Sequence, residues 1–357
     1  MLAVAGLAAI LIAACGGGSK TTSKTTRSAS SGTSSVSIKA TQAASASHCP
    51  YRFAVITHGD NGSFWTVVYK GAKAAAADLG CQLSEVYGSQ QQGQAEPDDS
   101  AENAQIQNAV NAKVNGIVVS DHNPALMNST IASAVKAGIP VVLSNAGCDS
   151  ADILATHALT CVGQPEQLAG EVSGQRFKAS GDTNVLCVIH QSGQNLLDRC
   201  NGIAQGLGVG SKCSTGNAPA KGPACTELTL STPNAASNPQ QAIGQVTAYL
   251  QAHPGINAVM ALNNAIGASI VASHPQAKVA TFDVDSQDLQ LVKGGQMQFV
   301  VDQQQFQQGY LPIMFLYQYL KYHGQTPGGG QTVPTGPLLV DKSNASTVTA
   351  SANAGDD

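Results

Sequence analysis

Phe64 and Trp65 stand side by side in a chain of 357 residues that holds only 7 phenylalanines and 1 tryptophan. They follow a polar, Gly-rich loop that begins at His58 and breaks a short apolar run over 53–56. A loop of this kind beyond the carboxyl end of a buried strand is where open α/β sheets hold their ligands. The chemistry on offer is non-covalent: flat rings to cover an apolar surface, flanked by groups that donate and accept hydrogen bonds. A buried aromatic pair belonging to the core is the other use of the same two residues. Signatures of catalysis are missing, since the chain has no GxSxG, HExxH or GxxxxGK[ST]. Gly206, Gly208 and Gly210 follow a helix and read as its cap and loop, not as a dinucleotide fingerprint. A binding protein is expected, with no catalytic residue and no cofactor.

The cysteines speak to the compartment. Of 9 in the chain, Cys15 stands apart, and eight remain: Cys49, Cys81, Cys148, Cys161, Cys187, Cys200, Cys213 and Cys225. An even number on an exported chain implies disulfides. Cys49 and Cys81 each precede a strand, and those strands should be neighbours in a sheet. Cys148 with Cys161, and Cys213 with Cys225, each close a short loop, while Cys187 lies in a strand and Cys200 on the helix after it. Pairing in sequence order is expected. Zinc would need paired CxxC or Cys/His spacing that the sequence lacks, so no metal site is expected.

The elements that must position these groups follow from periodicity. Residues 1–15 form an apolar segment of signal-peptide length ending Ile-Ala-Ala-Cys, which resembles a bacterial lipobox and implies cleavage before Cys15 and a lipid anchor on its sulfur. Residues 16–48 are Gly, Ser, Thr, Ala and a few Lys; such a stretch cannot offset its ordering entropy and reads as a disordered tether. The remainder is large enough for one large or two ordinary domains. With 11% charged residues, a net charge of −4 and no basic cluster in the folded part, nucleic acid is not an expected partner.

From Tyr51 onward strands and helices alternate. After the strand 53–56 and a helix from near Phe64 to Leu79, capped by Gly80, come strands at 82–87, 116–120 and 140–144 with helices at 100–114 and 124–137. A second series has helices at 164–179, 196–207, 239–252 and 265–273 between strands at 184–190, 226–230, 258–262 and 278–283. A helix at 285–293, a strand at 297–302 and a long helix at 305–322 follow, the last containing Pro312, which should kink it or open its second part. Alternation of this kind means parallel sheets with right-handed crossovers, and two series mean two lobes.

The loop with its aromatics and the following GAKAAAADLG, then AGIPVVLSNAG (137–147), RCNGIAQGL (199–207), AVMALNN (258–264), VATFDVD (279–285) and VVDQQQFQQGY (300–310), taken in this order, resemble the type I periplasmic binding proteins. The likeness is to the sugar-binding lipoproteins of ABC importers, of the ribose- and galactose-binding kind, and more loosely to the ligand domains of sugar-responsive repressors. It covers 51 to about 340. It implies an α/β fold of two Rossmann-like lobes with parallel sheets and a three-segment hinge, closing on a ligand in the cleft. The lobes would take 49–162 with 304–338, and 163–303 with 339–350. Crossings would fall near 162–164, near 283–285 and near the end of the long helix.

Carried over residue by residue, the resemblance implies that Phe64 and Trp65 sandwich a sugar ring and that Asp283 accepts two of its hydroxyls. Arg199, opening an R-x-x-G pattern, would reach the ligand from the first turn of a helix. Asn263 would contact it from the loop after 258–262. Gln303, with Gln304 and Gln305 beside it, would contact it near the last crossover. Each has a structural alternative: Arg199 as an ordinary structural arginine, and Asp283 as a helix N-cap, a role that suits Asp285 better.

Asn145-Ala146 departs from the family, many of whose members carry Asp-Arg there. An amide donates as well as accepts, so this neutral corner points to a deoxy sugar, a polyol or a less sugar-like ligand. His58 and His190 end strands aimed at the cleft and are candidates for replacement donors, as are Gln191, Gln194 and Asn195. Two functions remain open: a monomeric, lipid-anchored, extracytoplasmic solute-binding subunit that delivers a sugar or polyol to the permease of an ABC transporter, or a receptor presenting a ligand-dependent surface to a membrane signalling partner.

Overall fold

The structure is a computed structural model that describes residues 49–59, 63–86, 98–232, 235–273 and 275–357. Cys15, the tether and residues 60–62 of the aromatic loop lie outside the described residues. In chain order the first series is β1 (Arg52–Ile56), α1 (Ser63–Leu79), β2 (Gln82–Val86), α2 (Asp99–Asn111), β3 (Gly116–Val119), α3 (Pro124–Lys136), β4 (Val141–Ser144), α4 (Ser150–Thr156) and β5 (Cys161–Gly163). The second runs α5 (Glu166–Ala179), β6 (Asn184–Ile189), α6 (Gln194–Leu207), β7 (Ser214–Thr215), β8 (Ala224–Thr229), α7 (Pro239–Ala252), β9 (Ala258–Ala261), α8 (Asn264–Ala272), β10 (Lys278–Phe282), α9 (Ser286–Gly294) and β11 (Phe299–Asp302). Then come α10 (Gln305–Lys321), a 3-10 turn (Pro327–Gly330), β12 (Val333–Pro334), β13 (Leu338–Val340) and α11 (Thr349–Ala354).

Two sheets result, ordered β12-β5-β4-β3-β1-β2 and β13-β11-β10-β9-β6-β8-β7. Every strand pair is parallel except β11 with β13. The inner strands are apolar on both faces because both faces are covered. In the first sheet Ala54, Ile56, Ile117 and Val119 pack on Ile106, Met127 and Ile131 of α2 and α3. Their alternates Phe53, Val55 and Val118 pack on Val68 and Ala72 of α1 and Ile313 and Leu316 of α10. The second sheet repeats the scheme, with α5 and α6 on one face and α7 and α8 on the other.

Helix pairs approach closely where glycine removes the side chain. A Cβ at Gly170 would lie 2.0 Å from the Arg199 carbonyl oxygen and one at Gly206 2.1 Å from that of Glu171, so α5 and α6 touch along their backbones. α1 and α10 do the same, a Cβ at Gly309 falling 1.8 Å from the Val68 carbonyl.

α10 runs through Pro312 as one helix and is not divided into two parts. Proline lacks the N–H that would bond the carbonyl of residue 308. The Ser144 hydroxyl, from the end of β4, donates to that Gln308 oxygen at 2.7 Å and replaces the missing bond.

Residues 162–164 lead from the first sheet to the second, but the crossings looked for near 283–285 and near the end of the long helix lie elsewhere. Residues 283–285 join β10 to α9 within the second lobe, because β11 pairs with β10 in the same sheet. The second crossing comes where β11 passes into α10, and the third between β12 and β13. It lies well beyond the end of α10, since the chain first adds β12 to the edge of the first sheet. α4, the short strands and α11 were not anticipated; elements of two to seven residues are too brief to show a period.

The cysteines pair as Cys49–Cys81, Cys148–Cys161, Cys187–Cys200 and Cys213–Cys225. The first joins the entrances of β1 and β2, and the third ties β6 to α6. Among the described residues no helix is long and apolar enough to cross a membrane.

Removing the hydroxyl with Ser144→Ala leaves the Gln308 carbonyl buried without a donor and should cost about 1–3 kcal/mol in urea unfolding. In a Pro312→Ala background the restored backbone N–H supplies the bond, so the same substitution should cost clearly less. Equal costs in both backgrounds would refute the replacement.

Candidate functional site

Read from β2 and β8 inward, the two sheets place β1 opposite β6, β3 opposite β9, β4 opposite β10 and β5 opposite β11 as counterparts. Their carboxyl ends face one cavity. His58 and His190 follow β1 and β6, Asn145 and Asp283 follow β4 and β10, Asn263 follows β9, Gln303 follows β11, Phe64 and Trp65 come from the first turn of α1, and Arg199 comes from the second turn of α6, not the first as expected, because that helix already begins at Gln194. All nine line the same cavity, together with Ser63, Gln191 and Asn195. Gln304, Gln305 and Gln194 do not. The cavity measures about 80 Å³ for the centres of water-sized spheres, room for roughly five to eight waters. Ser63 Oγ donates to Asn264 Oδ1 at 3.3 Å, a direct bond from one lobe to the other.

The aromatic wall differs from a sandwich. The Phe64 and Trp65 rings touch at 4.9 Å between centroids and 82° between planes, leaving no slot between them. Consecutive residues on a helix project about 100° apart, so the pair makes a corner against which a guest would rest. His58 meets the indole edge-on at 4.8 Å. Trp65 is also part of the core cluster that includes Val55 and Val68, and it lies over Gly59, where any Cβ would fall 1.5 Å from its Nε1.

Arg199 is 3% exposed and anchors the polar half. Its Nε and Nη2 donate to the two oxygens of Glu166, both at 2.7 Å, and Nη2 also donates to Gln303 Oε1 at 3.0 Å. The guanidinium stands 4.5 Å from the centroid of Phe282. Burial works against its charge, and the Glu166 carboxylate more than offsets this. Gln303 in turn donates through Nε2 to Asp283 Oδ1. Burial pushes the Asp283 carboxyl up to about 6 even though Arg199 and Gln303 pull it down.

Asn145 and Asp283, the counterparts after β4 and β10, both sit in the left-handed region, with φ of 67° and 71°. A non-glycine residue held there costs free energy that the surroundings must supply, and such residues cluster at ligand clamps. Asn145 Nδ2 donates to Gln308 Oε1 at 3.1 Å, so its amide presents mainly its oxygen to the cavity. Asn263 is the reverse: its Oδ1 accepts from the Ile266 amide at 3.3 Å as the N-cap of α8, which leaves its NH2 to donate. Asp285, not Asp283, caps α9, accepting from the Asp288 amide at 2.8 Å.

The two histidines are neutral. Burial, then the neighbouring His122, holds His58 well below the ordinary imidazole value, and His58 Nδ1 pairs with Ser120 Oγ at 2.6 Å. Burial, then Arg199, drives His190 down to about 3, and its buried Nδ1 has no partner.

Two residues behind the lining were not foreseen. Glu166, just after the first crossing, holds Arg199, yet an acidic residue in a first helical turn reads as ordinary dipole complement. Gln308 bonds Asn145, the Gln303 carbonyl at 3.0 Å and Thr335 Oγ1 at 3.1 Å, linking the cavity wall to the second and third crossings. Within the run QQQFQQ nothing distinguishes it from its neighbours.

The chain matches the family described as periplasmic binding protein domain over residues 53–326. Among solved structures it is similar to a carbohydrate transporter from Acidothermus cellulolyticus 11B in complex with myo-inositol, with 32% identity and a TM-score of 0.74, covering 86% of this chain and 99% of that one. An ABC transporter solute-binding protein from Burkholderia graminis C4D1M in complex with D-arabinose shares the fold at 21% identity and a TM-score of 0.67, covering 83% and 97%. The xylose/arabinose-binding protein XylF of Sulfolobus acidocaldarius is 24% identical over 292 residues, 76% of this chain and 67% of that protein. With two parallel-sheet lobes, a cleft at their carboxyl ends and a family match over most of its length, this chain belongs to the periplasmic binding proteins.

Proposed function

We propose that the protein captures a small neutral polyhydroxylated solute, a sugar or cyclic polyol, in the interlobe cavity and delivers it to the permease of an ABC importer. The observation that carries this reading is the balanced lining. Arg199 and Asp283 are its charged groups, the histidines are neutral, and Asn145, Asn263, Gln303 and the second oxygen of Asp283 supply acceptors and donors beside an aromatic corner. A sugar or inositol offers hydroxyls that do both, and apolar C–H faces for the rings. The solved relative bound to myo-inositol supports a polyol as readily as a sugar. Nine residues are assigned to the ligand: His58, Phe64, Trp65, Asn145, His190, Arg199, Asn263, Asp283 and Gln303. The lobes take 49–162 with 304–338, and 163–303 with 339–350. The protein works outside the cytoplasm as a monomer, held to the membrane by lipid on Cys15.

A thermal-shift screen of myo-inositol, D-arabinose, D-xylose and other neutral sugars, followed by titration of Trp65 fluorescence, tests the reading. A neutral polyol or sugar should bind at least tenfold more tightly than its phosphorylated or carboxylated counterpart; a preference for the anion would overturn it. Trp65→Ala should weaken binding by roughly tenfold or more.

Asp283 accepts hydroxyls as a carboxylate, and its pKa in the free protein is about 6. Above that pH the binding form is present; below it the proton must leave first. Affinity should therefore be flat above pH 7 and fall towards tenfold per unit well below 6. Asp283→Asn should bind weakly with a flat profile, and an unaltered profile in that variant removes Asp283 from the site.

A further inference from the structure

α1 belongs to the first lobe, yet its outward face meets the second lobe at two points. Ser63 and Lys70 stand about two helical turns apart and so lie on one side of the helix. At the helix start, Ser63 Oγ donates to Asn264 Oδ1 of α8 at 3.3 Å. Chemistry turns that acceptor towards the first lobe: Asn264 Nδ2 donates to Asp285 Oδ2 at 3.0 Å, and a carboxylate can only accept there, so the amide oxygen is the atom left for Ser63. Asn264 is 4% exposed, and the other oxygen of Asp285 is held by the cap of α9.

The second point is a hook formed by α11 and the turn after it. α11 packs on the second lobe, where Val348 and Ala352 join Leu289, Val292, Val300 and Val340 in one cluster and Lys293 Nζ donates to Thr349 Oγ1 at 3.0 Å. The helix ends at Gly355, whose left-handed φ of 69° turns the chain so that the Asp356 N–H closes on the Ser351 carbonyl at 2.9 Å. A helix end leaves its last carbonyls without intrahelical donors. Lys70 supplies one from the other lobe: its Nζ donates to the carbonyl oxygens of Ala354 and Gly355 at 2.5 and 3.3 Å and pairs with Asp356 Oδ1 at 2.7 Å. The hook sits beside the hinge, since Ser351 and Asp356 share the wall of one cavity with Gln304 of the second crossing and Pro334 and Thr335 of the third.

Neither Asn264 nor Lys70 lines the cavity assigned to the solute. Both contacts join groups on different lobes, and opening is a rotation of the lobes about their crossings. Such a rotation separates the partners, so each contact favours the closed arrangement by its own free energy. For a solute that enters the open form and leaves only after reopening, that bias appears in the rate of release and leaves the rate of capture unchanged. We propose that Asn264 and the hook after α11 are closing latches, which set how long a captured solute is held without touching it. Their effect on release rests on the solute-capturing role of the first cavity; the latches themselves need no solute.

The test combines stopped-flow release of myo-inositol, followed by Trp65 fluorescence, with small-angle X-ray scattering. Asn264→Ala should speed release about two- to tenfold, the worth of one hydrogen bond, and Ser63→Ala should add nothing further in that background. Lys70→Ala should speed release about two- to fivefold at low salt. Its ion pair is partly exposed, so this difference from the wild type should shrink at high NaCl, whereas that of Asn264→Ala, which breaks a bond between neutral groups, should not. Lys136→Ala, which removes the same charge from the end of α3, should release as the wild type does. Without solute, the double variant carrying Lys70→Ala and Asn264→Ala should scatter as a more extended particle than the wild type. If myo-inositol does not compact the wild type, the proposed solute class is at fault, and the solute-free comparison still decides on the latches. The proposal is overturned if the double variant and the wild type give superimposable solute-free profiles, or if Asn264→Ala and Lys70→Ala release myo-inositol at the wild-type rate.

Discussion

A guanidinium taken out of water has to be neutralised where it sits, and the burial of Arg199 organises the second lobe's side of the cleft around that requirement. Glu166 meets it with both oxygens, Gln303 with its amide oxygen, and Phe282 with its ring face. These partners come from the first crossing, from the end of β11 and from the end of β10. One charge thus draws three separate segments to a single point. Gln303 is turned by this contact so that its NH2 meets Asp283, and Asp283 is left with one oxygen for a guest. The acid's ionisation is in turn tied to the arginine. Arg199 is already matched by Glu166 before any ligand arrives, so the guanidinium sets no demand for an anionic guest.

The first lobe solves the corresponding problem without charge. Where its counterpart has Asp283, held by the Gln303 amide, it has Asn145, in the same left-handed backbone conformation, held by Gln308. Gln308 sits four residues before Pro312, and its carbonyl is the one that the proline leaves free and Ser144 recovers. One residue therefore connects the site, the break in α10's hydrogen bonding and two of the three interlobe crossings. Closure of such a protein is a rotation about a few crossing residues. Here those residues and a cavity-lining residue share hydrogen bonds, so the geometry of the hinge and that of the site are not independent.

Much of the architecture was legible from periodicity, because parallel strands buried on both faces are continuous apolar runs and their crossover helices are long enough to show a stripe. Val141–Ser144 and Lys278–Phe282 are of this kind. A crossing near 283–285 was expected alongside lobe bounds drawn at 303–304 because a crossing has no composition of its own: both stretches are polar, and only the pairing of β11 with β10 tells which of them leaves the lobe. The lining residues were legible at strand ends, where polar side chains interrupt apolar runs. What held them was not. Glu166 and Gln308 are remote in sequence from the residues they fix, and nothing local distinguishes a glutamine that braces a hinge from one that faces solvent. Nor does the adjacency of Phe64 and Trp65 disclose that helical geometry turns them edge to face.

The four disulfides all close within a lobe, two in each, and none spans a crossing. Covalent bracing is thus confined to the interior of each half. An oxidising environment can harden both jaws against unfolding and proteolysis without adding any stiffness to the bite, so durability outside the cell and ease of opening are set by different bonds and can be adjusted one without the other.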